Sequence, residues 1–211
     1  LEFRRVLFRS IFSLQFLLEG LKKGEKCLYI SIDEKPEHVI QDAENLGWDL
    51  KPHLNSGLLQ IFDITSYFGV TDVGGDDGIN VSQVVENIIS HIKAFMPKRL
   101  AIDPVAPLIF SDKKVPDVAN YIRKIIFAIE DNLGCTTLLT SYVPVGSEKV
   151  SQHGIEEFAA SGIILLRLVK HNNIYVRTIC VRKMRSTQID LTEYGFEILP
   201  KRGFVLRQPI Q

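Results

Sequence analysis

Short apolar runs that each end in an acid or a hydroxyl alternate with amphipathic helical runs, and this order constrains the fold more than any other feature of the chain. CLYISI at Cys27–Ile32 leads into Asp33 and Glu34, RLAID at Arg99–Asp103 ends in its own acid, and the run from Cys135 to Leu139 leads into Thr140 and Ser141. Apolar runs of this length read as buried strands. Leu58–Ile64 reads as a further strand. Helical spacing of Ile11, Leu14, Leu17, Leu18 and Leu21 predicts a helix over Ile11–Leu21, stopped by Gly24. Pro36 sits where a first turn begins, so Glu37–Leu46 reads as a helix that Gly47 ends. Val81–Phe95 and Val115–Glu130 are two more helices, and the Gly/Asp-rich stretch Thr65–Ile79 reads as a surface loop.

Strands alternating with helices predict an α/β fold with a mostly parallel central sheet flanked by helices. Beyond Ser141 the pattern changes. Gly162–Val169, Ile174–Met184 and Tyr194–Leu199 read as strands with short connections, so the sheet is expected to end in antiparallel hairpins. No repeat or second domain is visible, which makes residues 10–211 one domain.

The 211 residues are 45% apolar, enough for a substantial core. Lysine plus arginine and aspartate plus glutamate both number 25, which argues against binding nucleic acid through bulk charge. Cys27, Cys135 and Cys180 lie in strand-like runs with no CxxC pair, and read as three buried thiols in a reducing compartment. No apolar run reaches the roughly 20 residues of a membrane span, and Leu1–Ser10 lacks the form of a signal peptide, so a cytoplasmic location is expected.

Ligands of open parallel sheets bind beyond the carboxyl ends of the strands. There the sequence places Asp33 and Glu34, then Asp103, then Thr140 and Ser141. Phosphoryl transfer to water needs such a set: an acid near a metal, a carboxylate that orients a water, and a polar group near the leaving phosphate. Acids after strands also cap helices, so either acid before Pro36 has that alternative.

Several long stretches resemble the KaiC-type ATPases. YISIDEKPEHVIQDAENLGWDL at Tyr29–Leu50 resembles the segment that begins at the paired catalytic acids, and RLAIDPVAPLI at Arg99–Ile109 is similar to the Walker B strand. GIEEFAASGIILL at Gly154–Leu166, VRKMRSTQ at Val181–Gln188 and YGFEILPKRGFVL at Tyr194–Leu206 resemble further segments, in order, to the end of the domain. The resemblance implies a RecA-like P-loop ATPase, acting with ATP and Mg2+ in a hexameric homo-oligomeric ring and signalling to a protein partner. It implies Glu34 as the general base with Asp33 beside it, Asp103 in the magnesium shell, and Thr140 and Ser141 near the sensor position. Lys183, Met184, Arg185 and Thr187 would reach a neighbour's nucleotide, with Asn45 contributing. Lys183 and Arg185, two apart on a strand, face one way and suit one phosphate. A basic solvated strand edge is the alternative. Trp48 reads as a packing residue. The positions matching the family's phosphoacceptor Ser and Thr are Glu157 and Phe158, so autokinase activity is not expected there.

The chain departs from the family before Ser10. A P-loop reads G-x-x-x-x-G-K-[ST], and Ser10 falls in register with its closing hydroxyl, a second magnesium ligand. Yet LEFRRVLFR precedes it, with no glycine before Gly20 and no lysine before Lys22. Arginine side chains block the close backbone approach that glycine permits. Leu1–Arg9 is therefore expected to be a foreign segment, with the first strand and phosphate loop missing. The alternative is a genuine degenerate domain that binds nucleotide weakly or not at all. Three functions stand at this point: an ATP-hydrolysing signalling module, a non-catalytic interaction subunit, and a DNA recombinase or helicase. The acidic stretch Asp72–Gly78 counts against the last.

Overall fold

The computed structural model describes residues 3–32, 34–64, 81–105, 123–130, 134–141, 143, 150 and 156–210. In chain order the elements are α1 (Phe3–Leu21), β1 (Cys27–Ser31), α2 (Pro36–Asn45), α3 (Lys51–Asn55), β2 (Leu59–Asp63), α4 (Val81–Phe95) and β3 (Arg99–Asp103). Then follow α5 (123–130), β4 (Thr136–Leu139), α6 (Glu156–Ala159), β5 (Gly162–His171), β6 (Ile174–Met184), β7 (Tyr194–Leu199) and β8 (Gly203–Pro209). The expected surface loop at Thr65–Ile79 and the first part of the Val115–Glu130 helix lie outside the described residues.

The first sheet has the order β2-β1-β3-β4 with every pair parallel, as the alternating pattern predicts. Side chains alternate between its faces. Cys27, Tyr29 and Ala101 join Leu14, Leu17 and Leu21 of α1 and Val39 and Ala43 of α2 on one face. Leu28, Ile30, Leu100 and Ile102 meet Ile88 and Ile92 of α4 and Ile125 and Ile129 of α5 on the other. Two helical layers therefore bury β1 throughout, which is why its sequence is a continuous apolar run.

The second half differs from expectation. The late strands do not prolong the parallel sheet; β5-β6-β7-β8 form a separate antiparallel sheet. Among the described residues no ladder joins β4 to β5. Helix α1 ties the two sheets together. Its buried stripe rests on β1 and β3, while Gln15 Oε1 accepts from the Phe204 amide at 2.7 Å and Phe8 and Phe12 pack edge-on against Phe196 and Phe204. A second tie joins α2 to the β7–β8 turn: the Lys201 amide donates to Leu46 O at 2.6 Å and Trp48 Nε1 donates to Lys201 O at 3.2 Å. Trp48 is thus a buried packing residue, as its sequence context suggests.

Helix α1 runs back through Ser10 to Phe3, well ahead of the expected start at Ile11. Helices α3 and α6 and strand β8 are additions to the sequence reading. Of the three thiols only Cys27 is buried; Cys135 and Cys180 are half-buried, because β4 and β6 lack the double cover of β1. Burial pushes the Cys27 thiol up to about 11.

Arg99 closes the base of the first sheet. Its Nε donates to Glu25 Oε2 at 2.6 Å, one η nitrogen donates to Phe16 O at 2.8 Å, and the guanidinium lies 5.0 Å from the Phe16 ring centre. Gly20 leaves room for this side chain: a β-carbon there would meet Arg99 Cδ at 2.6 Å and Cys27 Sγ at 2.8 Å.

Ile102, fully buried in the middle of the sheet, is expected to tolerate truncation poorly. Ile102→Ala should lower unfolding stability by about 2–5 kcal/mol, from lost burial and the cavity left behind. Urea unfolding followed by circular dichroism checks this: the midpoint falls while the slope is unchanged.

Candidate functional site

The observed strand order makes β1, β3 and β4 neighbours, so their carboxyl ends form one continuous edge. Asp103 ends β3 opposite Ser31 of β1, and Tyr29 lies two residues before Ser31 on the same face. Ala101, opposite Tyr29, carries only a methyl group, and Asp103 is the next residue on that face. The Tyr29 hydroxyl donates to Asp103 Oδ2 at 2.5 Å, and the Thr140 hydroxyl at the end of β4 donates to Asp103 Oδ1. Asp103 and Thr140 are each 6% exposed and Tyr29 is 1% exposed. A buried carboxylate is tolerable only when hydrogen-bonded, and here each oxygen has a donor.

Ser10 joins the cluster from α1 by a hydrogen bond to the Tyr29 phenol. Glu34 enters from the β1–α2 turn, where the Ser31 hydroxyl donates to the Glu34 carbonyl at 2.5 Å. The N-cap of α2 is Lys35, with no side-chain cap bond, so Glu34 is not spent on helix capping. Arg9, Ser10, Tyr29, Ser31, Glu34, Asp103 and Pro104 enclose a cavity of about 20 Å³. Ser141 follows Thr140 half-buried at the same edge. Asp33, the other predicted acid, lies outside the described residues.

Tyr29 is the residue that sequence reasoning missed. A hydroxyl in an otherwise apolar buried strand needs a partner, and strand periodicity puts it on the face of Ser31; that was the available signal. Burial, followed by the Asp103 charge, holds the phenol well above the ordinary tyrosine range.

The cationic strand residues fall elsewhere. Lys183 Nζ donates to Glu157 O at 2.7 Å and Ala160 O at 2.8 Å, and an Arg185 η nitrogen donates to Phe158 O at 2.9 Å. Both therefore face one way, as their spacing predicts, toward the carbonyls of α6. β6 has β5 on one side and β7 on the other, although β7 pairs only at Thr178 and Ile179. Met184 turns inward against Gly162, Thr187 is exposed with its hydroxyl donating to Arg185 O at 3.4 Å, and Asn45 is exposed at the end of α2, accepting from Gln41. The structure draws Ser10, Glu34, Asp103 and Thr140 together and leaves Asn45 out of the cavity they line.

Oxygen donors of this kind suit a hard divalent cation such as magnesium. A triphosphate does not fit. About 20 Å³ has room for roughly one water. The residues ahead of Ser10 form helix rather than a glycine loop, so beyond its first turn their amides are turned to carbonyls four residues back. Among the described residues no group of three or more His, Cys, Asp or Glu side chains is poised for a metal. No described helix is long and apolar enough to cross a membrane.

A parallel sheet between helical layers, carrying an acid and a hydroxyl on adjacent strand ends and an antiparallel sheet behind, is the architecture of the RecA-like ATPase domains. Comparison with known proteins narrows this. The family model "ATPase: KaiC" matches residues 9–209, and the chain belongs to that family. UPF0273 protein PH0284 of Pyrococcus horikoshii is 30% identical over 94% of this chain and 85% of its own length. The circadian clock oscillator protein KaiC of Acaryochloris marina is 28% identical over 90% of this chain. The match spans only 36% of that clock protein. Among solved structures, the KaiC-like protein PH0186 of P. horikoshii superposes with a TM-score of 0.79 at 28% identity, covering 96% of this chain and 85% of its own.

Tyr29→Phe removes one donor from the buried Asp103 carboxylate and should cost about 1–3 kcal/mol of stability. The phenol pKa is raised on folding, so its contribution is complete below the unfolded-state value near 10 and is lost as pH rises above it. Wild-type stability should therefore fall above about pH 10 and the variant's fall should be shallower. Urea midpoints measured on either side of that pH decide it.

Proposed function

We propose that this chain carries the acid-bearing half of a KaiC-like ATP-hydrolysing module, and that turnover needs a glycine-rich phosphate loop ahead of Ser10. The observation that supports this most directly is the Asp103 carboxylate, held by Tyr29 and Thr140 at the strand ends with Ser10 and Glu34 on the same cavity. In this reading Asp103 orients the magnesium shell and Ser10 is its second oxygen ligand. Glu34 takes the proton of the attacking water, with Asp33 beside it. Thr140 and Ser141 stand at the phosphate-sensing position. Magnesium, when bound with ATP, supplies neutralisation of charge on the phosphate oxygens.

Lys183 and Arg185 are assigned to the nucleotide of a neighbouring subunit in a homo-oligomeric ring, six-membered in the intact protein, with Met184, Thr187 and Asn45 at the same interface. Their shared direction on β6 supports the assignment. In the single chain their charges rest on carbonyls of residues 157–160, the weak partners that a phosphate would displace. Signalling to a protein partner is the output that fits a slow ring ATPase. Phe158 at the phosphoacceptor register supports hydrolysis rather than autokinase activity.

A second reading has its own support. The helix through Phe3–Ser10 occupies the place of a phosphate loop, which favours a non-catalytic subunit for the chain as it stands. Leu1–Arg9 as a foreign segment reconciles the two, since the activity then belongs to a protein with the loop in place.

Phosphate release measured on the chain itself is expected to be at background. A version with a strand and a G-x-x-x-x-G-K loop ahead of Ser10 should hydrolyse ATP with magnesium, and Glu34→Gln in that version should lower kcat by about 10²–10⁴-fold, the usual contribution of a general base. Unchanged turnover in Glu34→Gln would remove the base from this residue. In the same version, Arg185→Ala should lower turnover only in the assembled ring, which mixing with subunits inactivated by Glu34→Gln tests.

A further inference from the structure

The two sheets turn open edges toward one cavity. β4 is the last strand of the parallel sheet and β5 the first of the antiparallel sheet, and among the described residues no ladder covers the outer edge of either. Between them lies a cavity of about 1020 Å³, lined by residues of β4 and by Ile164–Val169 of β5. Helices close it on both faces: Phe8, Phe12 and Phe16 of α1 on one, Ile126 and Ile129 of α5 on the other. Unpaired strand edges are rows of free amide donors and carbonyl acceptors, and neighbouring strands lie about 4.8 Å apart.

The exposure pattern marks the same gap. β1 is buried at every position, whereas no residue of β4 or β5 is buried, although both are rich in leucine and isoleucine. Leu138, Leu139, Leu165, Leu166 and Leu168 all remain half-buried around the cavity, and Ile164 is 38% exposed.

We propose that this gap is a strand-accepting slot, which binds one extended apolar polypeptide segment supplied in trans and running parallel to β4. Helical cover on both faces fixes the chemistry of the segment. A strand between two helical layers is apolar on both sides, so the occupant is a continuous Val/Ile-rich run rather than an alternating one. The direction follows from β3 and β4, which run parallel and end beside Asp103 and Thr140. Ser10 stands at that same edge, so a parallel occupant finishes next to the cavity of the acidic site. The source follows from α1. Residues 3–10 are drawn into its helix and do not lie along β4, which leaves the slot to another chain. The inference does not rest on ATP hydrolysis, and its failure leaves that reading standing.

The test uses the chain as it exists and a fluorescein-labelled peptide with about seven consecutive Val and Ile residues between lysine flanks. Saturable binding by anisotropy is expected, together with amide hydrogen exchange slowed about tenfold or more in 136–139 and 162–169 and unchanged in β2, the opposite edge of the sheet. A peptide with a central proline, which cannot donate to a ladder, should bind at least about tenfold more weakly. Ile164→Glu, at a partly exposed position, should retain the native melting profile and lose peptide affinity by about tenfold, because it sets a charge on the slot wall. Equal binding of the proline peptide, protection appearing at β2 instead, or a self-associated chain whose β4 and β5 edges are already protected without peptide would each overturn the proposal.

Discussion

Helix α1 is the element on which the rest of the structure depends. One stripe of it, Leu14, Leu17 and Leu21, covers the face of the parallel sheet that carries Tyr29 and Ala101. Another part, through Phe8, Phe12 and Gln15, holds the antiparallel sheet by aromatic contacts and one amide hydrogen bond. Burying apolar surface on two sheets at once sets where they stand, and so creates both the edge where the acids gather and the open space between β4 and β5. The same helix delivers Ser10 to the acidic edge, which ties the site to the packing of the core.

The site is a problem in electrostatics solved by neighbours in the strand register. A carboxylate only 6% exposed would be costly alone. Tyr29 and Thr140 supply one donor to each oxygen, and they do so because β1 and β4 flank β3 in parallel register. What the site lacks is the complementary half. Phosphate oxygens need converging amides, and a helix beyond its first turn has already committed its own. The acids and the missing cradle therefore belong to different parts of the chain, and their separate fates explain how a KaiC-family domain keeps its acidic edge while the nucleotide space is reduced to about 20 Å³.

Most elements were legible in the sequence for one reason: strands covered on both faces are apolar throughout, and helices over a sheet show a 3.6-residue stripe. β3, β6, β7 and α4 fall at the residues the pattern indicates. The misses have physical causes. α3 and α6, of five and four residues, are too short to show a period. α1 extends past Ile11 because Phe8 finds Phe196, a partner remote in sequence. The separation of the late strands into their own sheet was not legible, because strand-forming runs carry no label for their neighbours.

The acids and hydroxyls at strand ends, the family and the direction of Lys183 and Arg185 were set by the sequence alone, since residue type and strand period are local properties. Only the tertiary structure decided that Tyr29 and Thr140 share the Asp103 carboxylate, that Ser10 stands beside them, and that two sheet edges face each other unpaired. Those facts depend on which strands become neighbours. That choice is made by how α1 divides its buried surface between two sheets, and no stretch of local sequence encodes it.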